Sequence, residues 1–491
     1  MKRIAICLIA LLLGFGSYLP LTCRAEDAQD QEKAARPSYV IKPGVPADHG
    51  LKPEDIEAIK ALLKKPVDDA VITGDSLLIA HKGEVIFREG FGKIMPDDSV
   101  RLASSTKPIA ATGVMLLVDA GKLSLDDPIS KFIPEFKGTK VENSTIRQLL
   151  SHTSGILGTY PGGRPTAGTM ADFARLIAKE GSFSPPGTFS YSGVGIDIAG
   201  CCAEIAAGMP VEAYLRANLL EPLGMMHTTF TLGADASTVP KEAADRGEGR
   251  YISCGGGMSS TLDDVAAFYL MHLNGGTYGD KRILSGKAIT EMHSRQSVNP
   301  AKSLDPYGGD EYGLGFYRDR ITKDGEALNI SHGGALGTFP WVDLDRELVC
   351  VFFAQTRLPV LKPHIAELQK KTRSLFPSER DKDVVKQASD NPGPELVEGD
   401  KAGAGNLNKV FKKISKGADT ITKEQFGDFF KERFGDRARP KMVDRIFSRL
   451  DANQDGALTL EEFGKLADIL KALKGVRPGK KAGPEDIDGE E

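Results

Sequence analysis

Behind Pro53-Glu54-Asp55, apolar residues recur at helical spacing: Ile56, Ile59, Leu62 and Leu63 mark one face. A proline followed by acids in a first turn is helix-start chemistry. The pattern then changes to strand-like runs, Ser76–Ala80 and Val85–Phe91, joined by His81-Lys82-Gly83-Glu84, which predicts a hairpin. Far downstream, Thr338–Asp343 and Leu348–Ala354 flank Leu344-Asp345-Arg346-Glu347 and predict a second hairpin. Between the two lie helical patterns, among them Ser104–Ala120, stopped by Gly121, and Leu262–Leu273, stopped by Gly275-Gly276. Another helix is predicted near Lys362–Leu375. Strands at both ends with helices between them predict an α/β (α+β) domain. Its sheet would be mixed and mainly antiparallel, gather both ends of the domain, and carry flanking helices and a helical insert.

The periodicity divides the chain. Lys2 and Arg3 precede an apolar run, Ile4–Leu13, and small residues follow around Cys23-Arg24-Ala25. Residues 1–25 therefore read as a signal peptide, and the expected location is periplasmic or secreted, with no stable membrane span after cleavage. Residues 26–49 read as a leader without structure, 50–377 as the main domain and 378–405 as a charged Gly/Pro-containing linker. Helical periodicity returns over 406–475, and 476–491 reads as a mobile charged tail.

A net charge of −4 over 491 residues provides no basic field for nucleic acid. Cys201, Cys202, Cys254 and Cys350 are too few for a disulfide framework in a mature chain of this size, and the adjacent pair sits in an apolar helical pattern, as core residues would.

Candidate chemistry begins at Ser104-Ser105-Thr106-Lys107, leading into the apolar run Ile109–Val118. A serine opening a helix has amide N–H groups close to any negative charge that develops on its substrate. A lysine three residues on shares its face and can reach the hydroxyl. Among apolar or positive neighbours such an amine can give up its proton and accept the serine's. Two further stretches gain meaning beside it. Tyr191 stands in Phe189-Ser190-Tyr191-Ser192-Gly193-Val194-Gly195 before a helix, and His332 leads Gly333-Gly334-Ala335 at the edge of a strand.

Together these residues resemble the serine β-lactamase and penicillin-binding-protein group. The match is to the branch holding class C β-lactamases, D-alanyl-D-alanine carboxypeptidases, D-amino-acid peptidases and esterases. Gln148-Leu149-Leu150-Ser151-His152-Thr153-Ser154-Gly155-Ile156 and Gly256-Gly257-Met258-Ser259-Ser260-Thr261-Leu262-Asp263-Asp264-Val265 resemble framework motifs of that branch, so His152 is expected in a framework turn. The resemblance implies a β-lactamase/transpeptidase-like fold with Ser104 as nucleophile, Lys107 as its proton partner and Tyr191 as the tyrosine of Tyr-x-Asn. It puts His332 where relatives carry lysine or histidine, and it assigns the oxyanion hole to the N–H groups of Ser104 and Ala335. Gly193, Gly333 and Gly334 would line the substrate. Two departures matter: Gly193 replaces the asparagine of Tyr-x-Asn, and His332-Gly333-Gly334 replaces Lys-Thr-Gly. The second removes a permanent positive charge that helps hold a substrate carboxylate. This favours an esterase, or a D-amino-acid peptidase acting on neutral substrates, over a β-lactamase.

Asp451-Ala452-Asn453-Gln454-Asp455-Gly456-Ala457-Leu458-Thr459-Leu460-Glu461-Glu462 fits an EF-hand loop: oxygen side chains at positions one, three and five, glycine at six, glutamate at twelve. Asp451, Asn453, Asp455, Ala457, Thr459 and Glu462 would hold one Ca2+ in a structural role. Residues 407–430 resemble a partner whose loop, Ser415-Lys416-Gly417-Ala418-Asp419-Thr420, has too few oxygens. The module is mildly basic, a face that would suit an anionic envelope polymer. The reading is therefore an exported monomeric serine hydrolase acting on a small-molecule or cell-wall-derived ester or amide, with no cofactor in catalysis. A catalytically inactive envelope- or ligand-binding protein on the same fold is the alternative.

Overall fold

The computed structural model describes residues 38–298 save 235–238 and 240, residues 311–385, and residues 411–464 save 413, 435–439 and 452–454. The expected signal peptide, most of the linker, Asn453, the last helix of the module beyond residue 464 and the charged tail lie outside them. The chain divides into two compact units, Met1–Asn391 and Pro392–Glu491.

The first unit is organised by a nine-stranded sheet. Its strands are β1 (Lys42–Pro43), β2 (Gly74–His81), β3 (Glu84–Gly92), β4 (Ser297–Val298), β5 (Glu311–Tyr312), β6 (Tyr317–Ile321), β7 (Ala327–Ser331), β8 (Phe339–Asp343) and β9 (Leu348–Ala354). The spatial order is β1-β3-β2-β9-β8-β7-β6-β5-β4, and every pairing is antiparallel except β1 with β3. Both expected hairpins form, and β2 joins β9 from Leu348↔His81 to Ala354↔Asp75, so the sheet does gather the two ends of the domain. Its central strands are buried on both faces, and their side chains divide by parity. Leu78 and Ala80 enter one core with Val349, Val351 and Phe353, while Leu77 and Ile79 enter the other with Cys350 and Phe352. That is the two-residue period of a strand serving two hydrophobic layers.

One layer is closed by α1 (Pro53–Asp68) and α6 (Leu358–Leu375), whose Ile59, Leu63, Leu361 and Ile365 belong to the second core. The other layer holds the insert: α2 (Lys107–Asp119), α3 (Met170–Glu180), α4 (Gly193–Ala207) and α5 (Leu262–Leu273). Helix α2 is buried from Lys107 through Met115, so its apolar residues surround it rather than forming a stripe. Among the described residues no single helix is long and apolar enough to cross a membrane.

Two boundaries differ from expectation. From residue 38 the presumed leader belongs to the domain: Lys42–Pro43 pairs with β3, and Tyr39 Oη donates to Glu347. Polar composition concealed this, because the segment is held by backbone pairing and hydrogen bonds. Likewise the presumed linker begins as a 3-10 turn, Glu379–Asp383, tied down by Asp381 pairing with Arg320 and Arg346.

The second unit holds β10 (Thr420–Thr422), α7 (Lys423–Phe434), α8 (Pro440–Leu450), β11 (Ala457–Thr459) and α9 (Leu460–Gly464). β10 and β11 pair antiparallel, with Ile421 opposite Leu458. Phe411, Phe426, Phe430, Ile446, Phe447, Leu450 and Phe463 pack around them.

Candidate active site

Ser104 lies half-buried in a single 3-10 turn, Ala103–Thr106, that runs straight into α2. The expected helix start at Ser104 is thus a tighter turn. The residue before it, Ala103, has φ 47°, a left-handed conformation that costs a non-glycine residue about 1–2 kcal/mol. Neighbours hold that strain in place. Leu102 donates its N–H to the Met258 carbonyl (2.8 Å), and the Leu102 carbonyl accepts from Thr338 Oγ1 (2.8 Å). Ser105 Oγ donates to the His332 carbonyl (2.8 Å), which fastens the turn to the strand edge carrying His332.

Lys107 is 1% exposed. Its Nζ donates to Ser104 Oγ (2.9 Å) and to the Gly255 carbonyl (2.6 Å), and lies 4.7 Å from the centre of the Tyr191 ring. Hydroxyl, amine and phenol ring therefore converge. Tyr191 is positioned by the turn into α4: Ser192 Oγ caps the helix by accepting the Gly195 N–H (2.9 Å), and the Ser192 N–H donates to His152 Nδ1 (3.1 Å). His152, with φ 60°, packs its ring 4.4 Å from that of Tyr191. It is a framework group, as the motif implied.

His332 is fully buried, with its ring 6.2 Å from that of Tyr191. Nδ1 faces the Gly333 carbonyl (3.0 Å), which can only accept, so Nδ1 carries the proton and Nε2 accepts from Tyr312 Oη (3.0 Å). His152 Nε2 meets the same hydroxyl at 3.2 Å. Burial, reinforced by the charge of Lys107, holds both imidazoles well below their ordinary range. His332 therefore replaces the family lysine without its charge, and both its nitrogens are engaged. In this arrangement the ring braces the turn beside Tyr191.

That turn is closed by Gly334 N–H to the Thr338 carbonyl (2.7 Å) and Gly337 N–H to the Gly334 carbonyl (2.9 Å), with Gly333 buried and Ala335 exposed at its tip. A Cβ on Gly334 would stand 2.1 Å from the Leu102 carbonyl oxygen, so only glycine lets the turn approach the residues before Ser104. Gly193 opens α4 against Gly255, and a Cβ there would meet Tyr160 Oη at 3.3 Å. The space left by the missing asparagine is thus bordered by a tyrosine from the 157–168 loop.

Several residues of this neighbourhood escaped the sequence reading: Tyr160, Asp197, Tyr251, Gly255 and Tyr312. One signal was visible, since Asp197 is one of only two carboxylates, with Glu204, inside the apolar helix Gly193–Ala207. The four cysteines are free and buried, Cys201 and Cys202 as their apolar surroundings suggested. In the second unit, Asp451 accepts the N–H groups of Asp455 (3.1 Å) and Gly456 (3.0 Å), and Glu462 accepts from Thr459 N–H and Oγ1 (both 2.9 Å). Ala457 donates its N–H to Asp455 Oδ1 (2.9 Å). Among the described residues no group of three or more His, Cys, Asp or Glu is gathered for a metal.

Residues 59–372, more than half of the chain, match the Beta-lactamase family. The chain is 33% identical over 319 residues to penicillin-binding protein 4 of Amycolatopsis lactamdurans, covering 60% of this chain and 81% of that one. It is 31% identical over 210 residues to esterase EstB of Burkholderia gladioli, covering 36% and 53%. It spans between 53% and 61% of the length of the first curated relatives it matches. The D-amino acid amidase of Ochrobactrum anthropi SV3 shares the fold, with a TM-score of 0.53 at 21% identity over 65% of this chain and 99% of that one. Sheet, insert and extent of match agree, and the chain belongs to the beta-lactamase family of serine hydrolases.

Proposed function

We propose that this chain is an exported hydrolase that forms an acyl-enzyme on Ser104, with esters as its preferred substrates and D-amino-acid amides or peptides next. The observation that carries the reading is the contact of Lys107 Nζ with Ser104 Oγ at 2.9 Å over the ring of Tyr191. One Nζ–H is committed to the Gly255 carbonyl, so the lone pair of a neutral amine can face Oγ. Ser104 Oγ attacks the substrate carbonyl carbon and its proton passes to Lys107. The oxyanion takes hydrogen bonds from the N–H groups of Ser104 and Ala335. Collapse of the intermediate breaks the bond to the leaving group, which departs with a proton relayed through Tyr191. Water then attacks the acyl carbon by the reverse relay and frees Ser104.

The neutral, buried His332 supports esters over β-lactams. A charge-assisted contact to a carboxylate is worth about 1.5–3 kcal/mol, so its loss weakens anionic ligands by about ten- to hundredfold. The esterase relative brings ester chemistry to this reading; the amidase neighbour brings amides.

The second unit is proposed to be an EF-hand module with one Ca2+. Its loop folds two nearly buried carboxylates, Asp451 and Glu462, onto its own N–H groups, and Gly456 at φ 83° makes the sharp turn. Asp451, Asn453, Asp455, the Ala457 carbonyl, Thr459 and Glu462 would hold the ion, which supplies positive charge to stabilise the loop.

A substrate panel tests the catalytic reading: a p-nitrophenyl acyl ester, a D-alanine p-nitroanilide and a chromogenic cephalosporin, with wild type beside Ser104→Ala. We expect the ester to be fastest, the cephalosporin at least tenfold slower by kcat/KM, and no turnover in the variant. Fastest turnover of the cephalosporin would overturn the preference. Absence of both turnover and fluorophosphonate labelling in wild type would leave a binding protein.

A further inference from the structure

Behind Lys107 lies a carboxylate that the proposed acylation scheme does not use. Asp197 is wholly buried in α4. Its Oδ1 accepts the Gly255 N–H at 2.6 Å, and the carbonyl of that same Gly255 accepts Lys107 Nζ at 2.6 Å. One residue therefore separates the acid from the amine. Oδ2 accepts from Tyr160 Oη and Tyr251 Oη, each at 2.8 Å. Burial raises this carboxyl above its ordinary range, and the Gly255 N–H, the two phenols and Arg164 pull it back down. Arg164 Nη2 can only donate, and it does so to Tyr160 Oη (3.2 Å), directing the phenol's own proton to Asp197. The Gly255 N–H likewise can only donate. An ionised carboxylate satisfies every one of these contacts.

We infer that Asp197 is a positioning residue: it fixes Gly255 so that its carbonyl holds Lys107 against Ser104, and its negative charge sustains the protonated state of that amine. The inference rests on Lys107 being the proton partner of Ser104. Gly255 must be glycine to transmit the hold, because a Cβ there would lie 2.6 Å from the Gly193 carbonyl oxygen. The charged and titratable groups facing Asp197 are Arg164, Tyr160, Tyr251, Cys201 and Cys254. Those facing Lys107 are Tyr191, His152 and His332. Burial pushes the thiols up and the imidazoles down, so both stay neutral, and Arg164 is the cation paired with Asp197.

Asp197→Asn preserves volume and removes the charge. Removing a nearby anion favours loss of the proton from Lys107, so its titration moves to lower pH. In the full chain, with a p-nitrophenyl ester, the acid limb of the kcat/KM profile should move down by half a pH unit or more. We expect kcat to fall at least tenfold while KM changes less than threefold. A merely structural carboxylate would lower the melting temperature and leave the limb where it was. The titration of Lys107 is also readable without turnover, from the Cε resonance of 13C-labelled lysine, assigned by its loss in Lys107→Arg. A midpoint unchanged in Asp197→Asn overturns the inference, even if wild type proves to hydrolyse nothing and the catalytic proposal fails separately. Should the variant not fold, the wild type still decides, since the Gly255 amide resonance must follow the Lys107 titration. A Gly255 signal indifferent to it would sink the idea.

Discussion

A lysine at 1% exposure has surrendered its hydration, and the Gly255 carbonyl, the Ser104 hydroxyl and the face of Tyr191 help Lys107 recover the loss. Asp75 shows the opposite outcome at the same scale. It is fully buried on β2, and neither carboxylate oxygen has a hydrogen-bond partner among the described residues. The nearest base, His364 Nε2, stands 3.7 Å from Oδ2, and burial drops that imidazole to about 4, so it offers no charge near neutrality. Desolvation accordingly lifts Asp75 from 3.8 to about 8. The folded chain thus keeps a proton that the unfolded chain releases at lower pH. The site's contribution to stability is whole below pH 3.8 and is lost as pH rises through about 8. Asp75→Asn removes this dependence. Its stability relative to wild type should rise between pH 4 and 8, by at least about 1 kcal/mol at pH 7, and level off above. Urea midpoints of both proteins across that range measure it; a constant difference would mean an acid of ordinary strength.

Elements with a simple period were legible in the sequence, and elements made by convergence were not. The strand pairs β2–β3 and β8–β9 were readable because their alternation serves two cores at once. The Ser-x-x-Lys spacing placed Ser104 and Lys107 on one face, where they do meet. What the spacing could not reveal was the left-handed Ala103, since any residue adopts that geometry only under tertiary constraint. Nor could it reveal the Asp197 hub, whose partners at 160 and at 251 and 255 come from two segments distant from it in sequence. His332 was found by motif, but its neutrality comes from burial, and its Tyr312 partner is one no local pattern couples to it. The close packing of α4 on the 254–257 strip makes Gly255 the point where such convergence is testable. Gly255→Ala would press a methyl group against the Gly193 backbone and displace the carbonyl that holds Lys107. A shift of about 1 Å in a positioned group costs on the order of a hundredfold in rate. We expect kcat to fall by about that factor, with KM little changed and a folded protein by circular dichroism. Retention of more than a third of wild-type kcat would mean that the Gly255 carbonyl is dispensable.

The whole chain joins two units with separate hydrophobic cores, the larger built on the nine-stranded sheet and the smaller on its phenylalanine cluster. In the smaller one, Asp451 and Glu462 are only 8% and 7% exposed and belong to one loop. Like charges held in such a loop oppose folding unless a cation balances them. Calcium binding only the folded form adds RT ln(1 + [L]/Kd), about 4 kcal/mol when the ion exceeds its Kd a thousandfold. For a unit this small that is a large share of total stability, so its melting transition should rise by 10 °C or more between chelator and millimolar calcium. Asp451→Ala should abolish the rise, and the transition of the hydrolase unit should stay fixed in both proteins. Ester turnover should survive chelation, because Ser104, Lys107 and Tyr191 meet entirely within the larger unit. If chelation instead removed activity in wild type, and Asp451→Ala removed it equally, calcium would regulate the hydrolase rather than merely brace its neighbour. A melting profile indifferent to calcium would refute the ion site itself while leaving the hydrolase chemistry untouched.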